Sequence, residues 1–150
     1  MSNVTKLKEF KEILKSLNNQ DFNQALKDLK LFSKNHSDDP IIIKLFASIY
    51  FNKMEWNNAI KYYKKILNFE SKKFPIYTNI GVAFFKLGKI NKSIDAFKKS
   101  INENPNFILN HNNLGISYLE IGLYEEAIKH FVFALKLNKN DINAQKNLIN

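Results

Sequence analysis

The sequence predicts an all-α fold, a stack of antiparallel helix pairs, and three observations carry that prediction. Gly and Pro are scarce, 4 and 3 in 150 residues, too few for the tight turns of a β-sandwich or barrel. Aligning the chain against itself exposes a period of about 34 residues, the length of a helix–turn–helix repeat. Within each period the second half carries apolar residues at helical spacing, as in Tyr124, Ala127, Ile128, Phe131 and Leu135, which buries one helix face. At 150 residues, 45% hydrophobic and 25% charged, the chain has the length of one domain, residues 1–150, and the apolar content for a core.

Each element follows from the repeat. Residues 74–107 (IGVAFFKLGKINKSIDAFKKSINENP within them) and 108–141 (LGISYLEIGLYEEAIKHFVFALKLNKN) align without a gap. Residues 40–73 place Tyr50, Trp56, Ala59 and Tyr63 where the last copy has Tyr118, Tyr124, Ala127 and Phe131. A fourth copy, 6–39, is degenerate in its first half but keeps Phe22, Ala25 and Leu29. There Glu9, Glu12 and Ser16 take positions that the other copies make apolar, which predicts a slipped register or a polar N-terminal cap. The glycines form two pairs, each pair one repeat apart: Gly81 and Gly115 at a close helix contact, Gly88 and Gly122 at the interhelix turn. Asp39 before Pro40 reads as an N-cap, and Asp141 plays the same part for 142–150, a partial capping helix.

This pattern resembles the tetratricopeptide repeat (TPR) family, with its W-x₂-L-G-x₂-Y, A-x₃-F, A and P signature. In the last copy Leu114, Gly115, Tyr118, Ala127, Phe131 and Ala134 match, with His111 in place of Trp and Lys139 in place of Pro; in the copy before, Tyr77, Ile80, Gly81, Phe84, Phe97 and Pro105 match, with Ser93 and Ser100 at the small positions. The resemblance implies a right-handed superhelical solenoid, a TPR-like α-α superhelix, that works as a non-catalytic protein-binding scaffold or adaptor. Its first helices would line a concave groove for a partner's peptide or helix. The groove positions are then Lys44, Ser48, Asn52, Thr78, Asn79, Val82, Lys86, Asn112, Asn113 and Ile116, with Phe51, Phe85 and Leu119 as an apolar ladder. One subgroup clamps acidic chaperone tails with Lys and Asn; Lys44 and Asn79 match it, but Ser48, Leu109 and Asn113 fill its other places, and two lost cations argue against that ligand.

Composition narrows the chemistry. The absence of cysteine excludes disulfides, a thiolate zinc site and a cysteine nucleophile, and fits a reducing, cytoplasmic compartment. The chain carries no apolar run of transmembrane length. His36, His111 and His130 have no ligand-like spacing, Ser93 and Ser100 no neighbouring base, and no phosphate loop occurs. No enzyme, metal or cofactor is expected. All 23 basic residues are lysine, which speaks against sequence-specific nucleic-acid readout, where arginine supplies the bidentate fork. Two other readings stand beside the groove. The net charge of +9, much of it on second helices at Lys61, Lys64, Lys65, Lys92, Lys98 and Lys99, suits an acidic partner or anionic surface through the convex side. In the last copy Val132 and Phe133 replace the lysine pairs Lys64–Lys65 and Lys98–Lys99. Phe133 falls about 200° from the buried Phe131, so both point outward as a contact for self-assembly into a homo-oligomer.

Overall fold

The computed structural model describes residues 3–35 and 38–149, all of whose regular structure is helical; His36 lies outside the described residues. In chain order the helices are α1 (Asn3–Asn18), α2 (Phe22–Phe32), α3 (Pro40–Asn52), α4 (Trp56–Ile66), α5 (Phe74–Lys86), α6 (Ile90–Glu103), α7 (Ile108–Leu119), α8 (Tyr124–Leu137) and α9 (Ile142–Ile149), with a 3₁₀ turn, Ser33–Asn35, after α2. They form two compact units, one up to Phe69 and one from Glu70 on. In the first, α1 pairs with α2 and α3 with α4; in the second, α5 pairs with α6 and α7 with α8, α7 also lies on α6, and α9 lies on α8.

The repeat frame is written into the backbone. Gln20, Met54, Gly88 and Gly122, each one repeat on from the last, all have a left-handed φ, of 58°, 58°, 69° and 74°. At each, the next N–H reaches back across the helix end: Asp21 to Ser16 O, Glu55 to Tyr50 O, Lys89 to Phe84 O and Leu123 to Tyr118 O, all at 2.9 Å. This is a glycine-type helix stop, used four times to satisfy the last carbonyls and turn the chain. That Gln20 keeps it shows that the degenerate first copy holds the register.

Small residues set the spacing within pairs. Ala25, Ala59, Ser93 and Ala127, which share one column of the repeat, are fully buried. A Cβ on Gly81 would stand 2.5 Å from the ring of Phe97, and one on Gly115 would stand 2.5 Å from that of Phe131. Both rings are buried and each takes the space a side chain would need, so glycine is required for the helices to approach this closely. The core of the second unit joins Ile94, Phe97, Leu114, Tyr118, Ala127 and Phe131. In the first unit, Phe46, Tyr50 and Tyr62 stack and Phe51 meets Trp56 and Tyr63 edge-on. The predicted caps are present: the Asp39 carboxylate accepts from Ile41 N at 2.8 Å, and that of Asp141 from Ala144 N at 2.8 Å.

Candidate functional site

In the second unit α5, α6 and α7 leave an open, mainly apolar pocket of about 200 Å³, lined by Val82, Phe85 and Lys86 of α5, Phe97 of α6, and Asn113 and Ile116 of α7. The helical spacing explains the lining. Val82, Phe85 and Lys86 share one side of α5, and Asn113 and Ile116 one side of α7, while Phe97, held over Gly81, forms the floor. Val82, Phe85, Asn113 and Ile116 are half-buried, and the Lys86 side chain stands exposed at the rim. The pocket therefore offers an apolar seat, one carboxamide with donor and acceptor, and one cation. Of the ten positions the sequence assigned to a groove, Val82, Lys86, Asn113 and Ile116 come together here, with Phe85 of the apolar ladder; Asn79 is half-buried on α5.

Thr78 and Asn112 are not groove-lining in the way Lys44 is: both are buried. The Thr78 hydroxyl lies 2.8 Å from Phe74 O, 2.9 Å from the Asn110 carboxamide oxygen and 3.0 Å from Ser100 Oγ. Asn110 Nδ2 donates to Ser100 Oγ at 2.6 Å, and Ser100 donates to Phe74 O at 2.6 Å. This closed network ties α5, α6 and α7 together, and its α7 member, Asn110, went unnoticed in the sequence because it falls at a core position of α7. Asn112 donates to the Asp141 carboxylate at 2.8 Å, so it fastens the cap of α9 to α7. In the first unit, Lys44, Ser48 and Asn52 lie four residues apart on one exposed side of α3, where Asn52 Nδ2 donates to Ser48 O at 2.8 Å.

The histidine pair belongs to the packing. His111 is buried, its Nε2 is 2.7 Å from Pro105 O, and its Nδ1 is 3.1 Å from Nδ1 of His130. A carbonyl can only accept, so His111 donates from Nε2 to Pro105 O. Burial, and then the neighbouring His111, hold His130 down to about 4. Phe133 is 38% exposed and rests on the His111 ring at 4.5 Å between centroids, so it already has a packing partner within its own unit, while Val132 remains exposed on another side of α8. Of the second-helix lysines, Lys65, Lys92, Lys98 and Lys99 lie 5.6–6.0 Å from the ring centres of Tyr62, Phe84, Tyr118 and Tyr77. That contact gives each a packing role on the surface. Among the described residues no group of three acidic or histidine side chains could hold a metal ion, and no helix is long and apolar enough to cross a membrane.

The sequence profile of the tetratricopeptide repeat matches residues 74–107 and 111–141. These are tetratricopeptide repeats. No curated protein matches the chain by sequence. Among solved structures, the chain resembles a crystal structure of MamA, with a TM-score of 0.81 and 22% identity over 89% of this chain and 78% of that one. It also resembles a chain of the Cut9–Hcn1 hetero-tetramer of APC/C, at 0.77 and 22% over 96% of this chain but 29% of that one. The TPR domain of Arabidopsis OM64 aligns at 0.68 and 18%, over 73% and 91%. At these identities the likeness is one of fold.

Proposed function

We propose that the chain is a non-catalytic adaptor whose α5–α7 pocket seats one large apolar side chain of a protein partner. The observation that carries this reading is the pocket itself: an apolar seat between two repeats, bordered by Asn113 and Lys86. A dry apolar cavity of about 150 Å³ holds a benzene ring, so a seat of this size suits an aromatic or branched aliphatic side chain. The Asn113 carboxamide can bond both the N–H and C=O of an extended segment beside it, and Lys86 favours an acidic residue next to the anchor. Tetratricopeptide repeats support protein–protein interaction, and the groove reading places that interaction on the first helices α5 and α7. Selection of a peptide library on the purified chain tests it. Enriched peptides should share an apolar anchor beside an acidic residue and bind in calorimetry at moderate salt, while Val82→Glu should weaken them at least about tenfold. Enriched peptides that are merely acidic, lose binding steeply with salt and ignore Val82→Glu would move the site to the lysines.

A further inference from the structure

The α5–α7 pocket has two charges of opposite sign at one end, and folding accounts for only one of them. Lys86 follows Val82 by one turn of α5, and Glu120 follows Ile116 by one turn at the end of α7. Each therefore stands about 6 Å beyond a wall residue of the pocket, on the same side of its helix. Both are exposed, and neither enters an ion pair among the described residues. Lys86 is exposed although α7 lies beside α5, so exposure belongs to this column of the repeat and not to whatever follows a helix. Lys86 lies in the last turn of α5, where a cation suits the negative end of the helix dipole. Glu120 is the C-cap of α7, a helix with no basic residue in its last turn, so its carboxylate faces a dipole of its own sign. Folding alone would favour a cation there.

A ligand with a charge to match accounts for Glu120. We infer, on the reading of the pocket as a seat for a partner's apolar side chain, that the seated segment carries both signs: an acidic residue on the α5 side of the anchor, against Lys86, and a basic residue on the α7 side, against Glu120. Neighbouring helices lie about 10 Å apart, and an extended chain advances about 3.3 Å per residue, so about three residues cross from one wall to the other. Each charged residue then falls within about two positions of the anchor. A segment acidic on both sides would set a carboxylate against Glu120 and bind less well, so Glu120 discriminates among partners where Lys86 alone would accept any acidic one.

Selection on the full chain from a displayed library of short peptides with a fixed central Phe tests this, followed by calorimetry on an enriched peptide. Enriched peptides should carry an acidic residue on one side of the Phe and a basic residue on the other. Changing the basic residue to Glu should weaken binding to the wild type by about tenfold, and Glu120→Lys should restore it. Changing the acidic residue to Lys should weaken binding equally, and Lys86→Glu should restore that; the crossed combinations should stay weak. Without peptide, Glu120→Lys should melt at or above the wild-type temperature, since a cation suits the end of α7. Enriched peptides without a basic residue, a Glu-substituted peptide that Glu120→Lys fails to rescue, or a Glu120→Lys protein that melts lower would overturn the inference. If Val82→Glu still weakens the peptide, the pocket reading survives that failure. Binding that ignores Val82→Glu, or no enrichment on the wild type, would remove the pocket reading and this inference together.

Discussion

Replacing Gly115 by Ala sets two well-measured effects against each other. In an open helix the change stabilises by about 1 kcal/mol, because alanine loses less backbone entropy than glycine. Here the new Cβ would lie 2.5, 2.7 and 2.9 Å from three ring atoms of Phe131. Phe131 is buried at the centre of the second unit and is a rigid ring, so it can retreat only by moving α8 or its neighbours. Inserting a methyl into such a site costs about 1–3 kcal/mol. The overlap is with three atoms at once, which puts the cost at the upper end, and the net expected effect is a loss of about 1–2 kcal/mol. Urea unfolding followed by circular dichroism reads it as a lower midpoint at unchanged slope. Pairing Gly115→Ala with Phe131→Leu should recover part of the loss, because the smaller side chain vacates the space, and the double-mutant cycle gives the coupling directly. A Gly115→Ala protein about 1 kcal/mol more stable than wild type would mean that Phe131 does not sit over Gly115, and the repeat packing described above would be wrong.

Met54→Gly should stabilise by about 1 kcal/mol, since Met54 holds a φ of 58° with its side chain 70% exposed, whereas Gly88→Ala should destabilise by a similar amount through the same backbone preference; calorimetric melting separates the two. Ala127→Leu, at a fully buried position between α7 and α8, should cost about 1–3 kcal/mol in thermal unfolding, and Lys99→Ala, exposed beside Tyr77, within about 0.5 kcal/mol of nothing. His130 titrates near 4 in the fold against 6.5 when unfolded, so the unfolded chain binds the proton first as pH falls. The neutral ring's stabilisation is present above pH 6.5 and is lost as pH falls through 4. Because the ring is partly open to water, the loss is discounted to about 1–2 kcal/mol, and His130→Phe should flatten that part of the stability–pH curve.

The repeat frame was legible because its constraints are steric and local. A glycine under a phenylalanine, an alanine at a helix crossing and a glycine at a helix stop each leave a mark at the same place in successive repeats. The same spacing puts Val82, Lys86, Asn113 and Ile116 on one side of their helices, and they line the α5–α7 pocket. It did not foresee the burial of Thr78 and Asn112, which share a column with the exposed Lys44. A lysine there reaches water, but a short hydroxyl or carboxamide finds buried partners instead: Asn110 and Ser100 for Thr78, Asp141 for Asn112. Those partners lie 22–32 residues away, beyond any helical spacing. The His111–His130 contact, 19 residues apart on two helices, leaves no periodic trace either. The stops at Gln20 and Met54 carry no glycine, so only their shared column links them to Gly88 and Gly122.

The most direct test of the scaffold reading is a methyl and amide NMR titration of the chain with a peptide enriched from the library. Binding in the α5–α7 pocket predicts the largest shifts at the Val82 and Ile116 methyls and at the Asn113 side-chain amide, with α8 and α9 unmoved. Shifts confined to the second-helix lysines or to α8, with Val82, Asn113 and Ile116 silent, would contradict it.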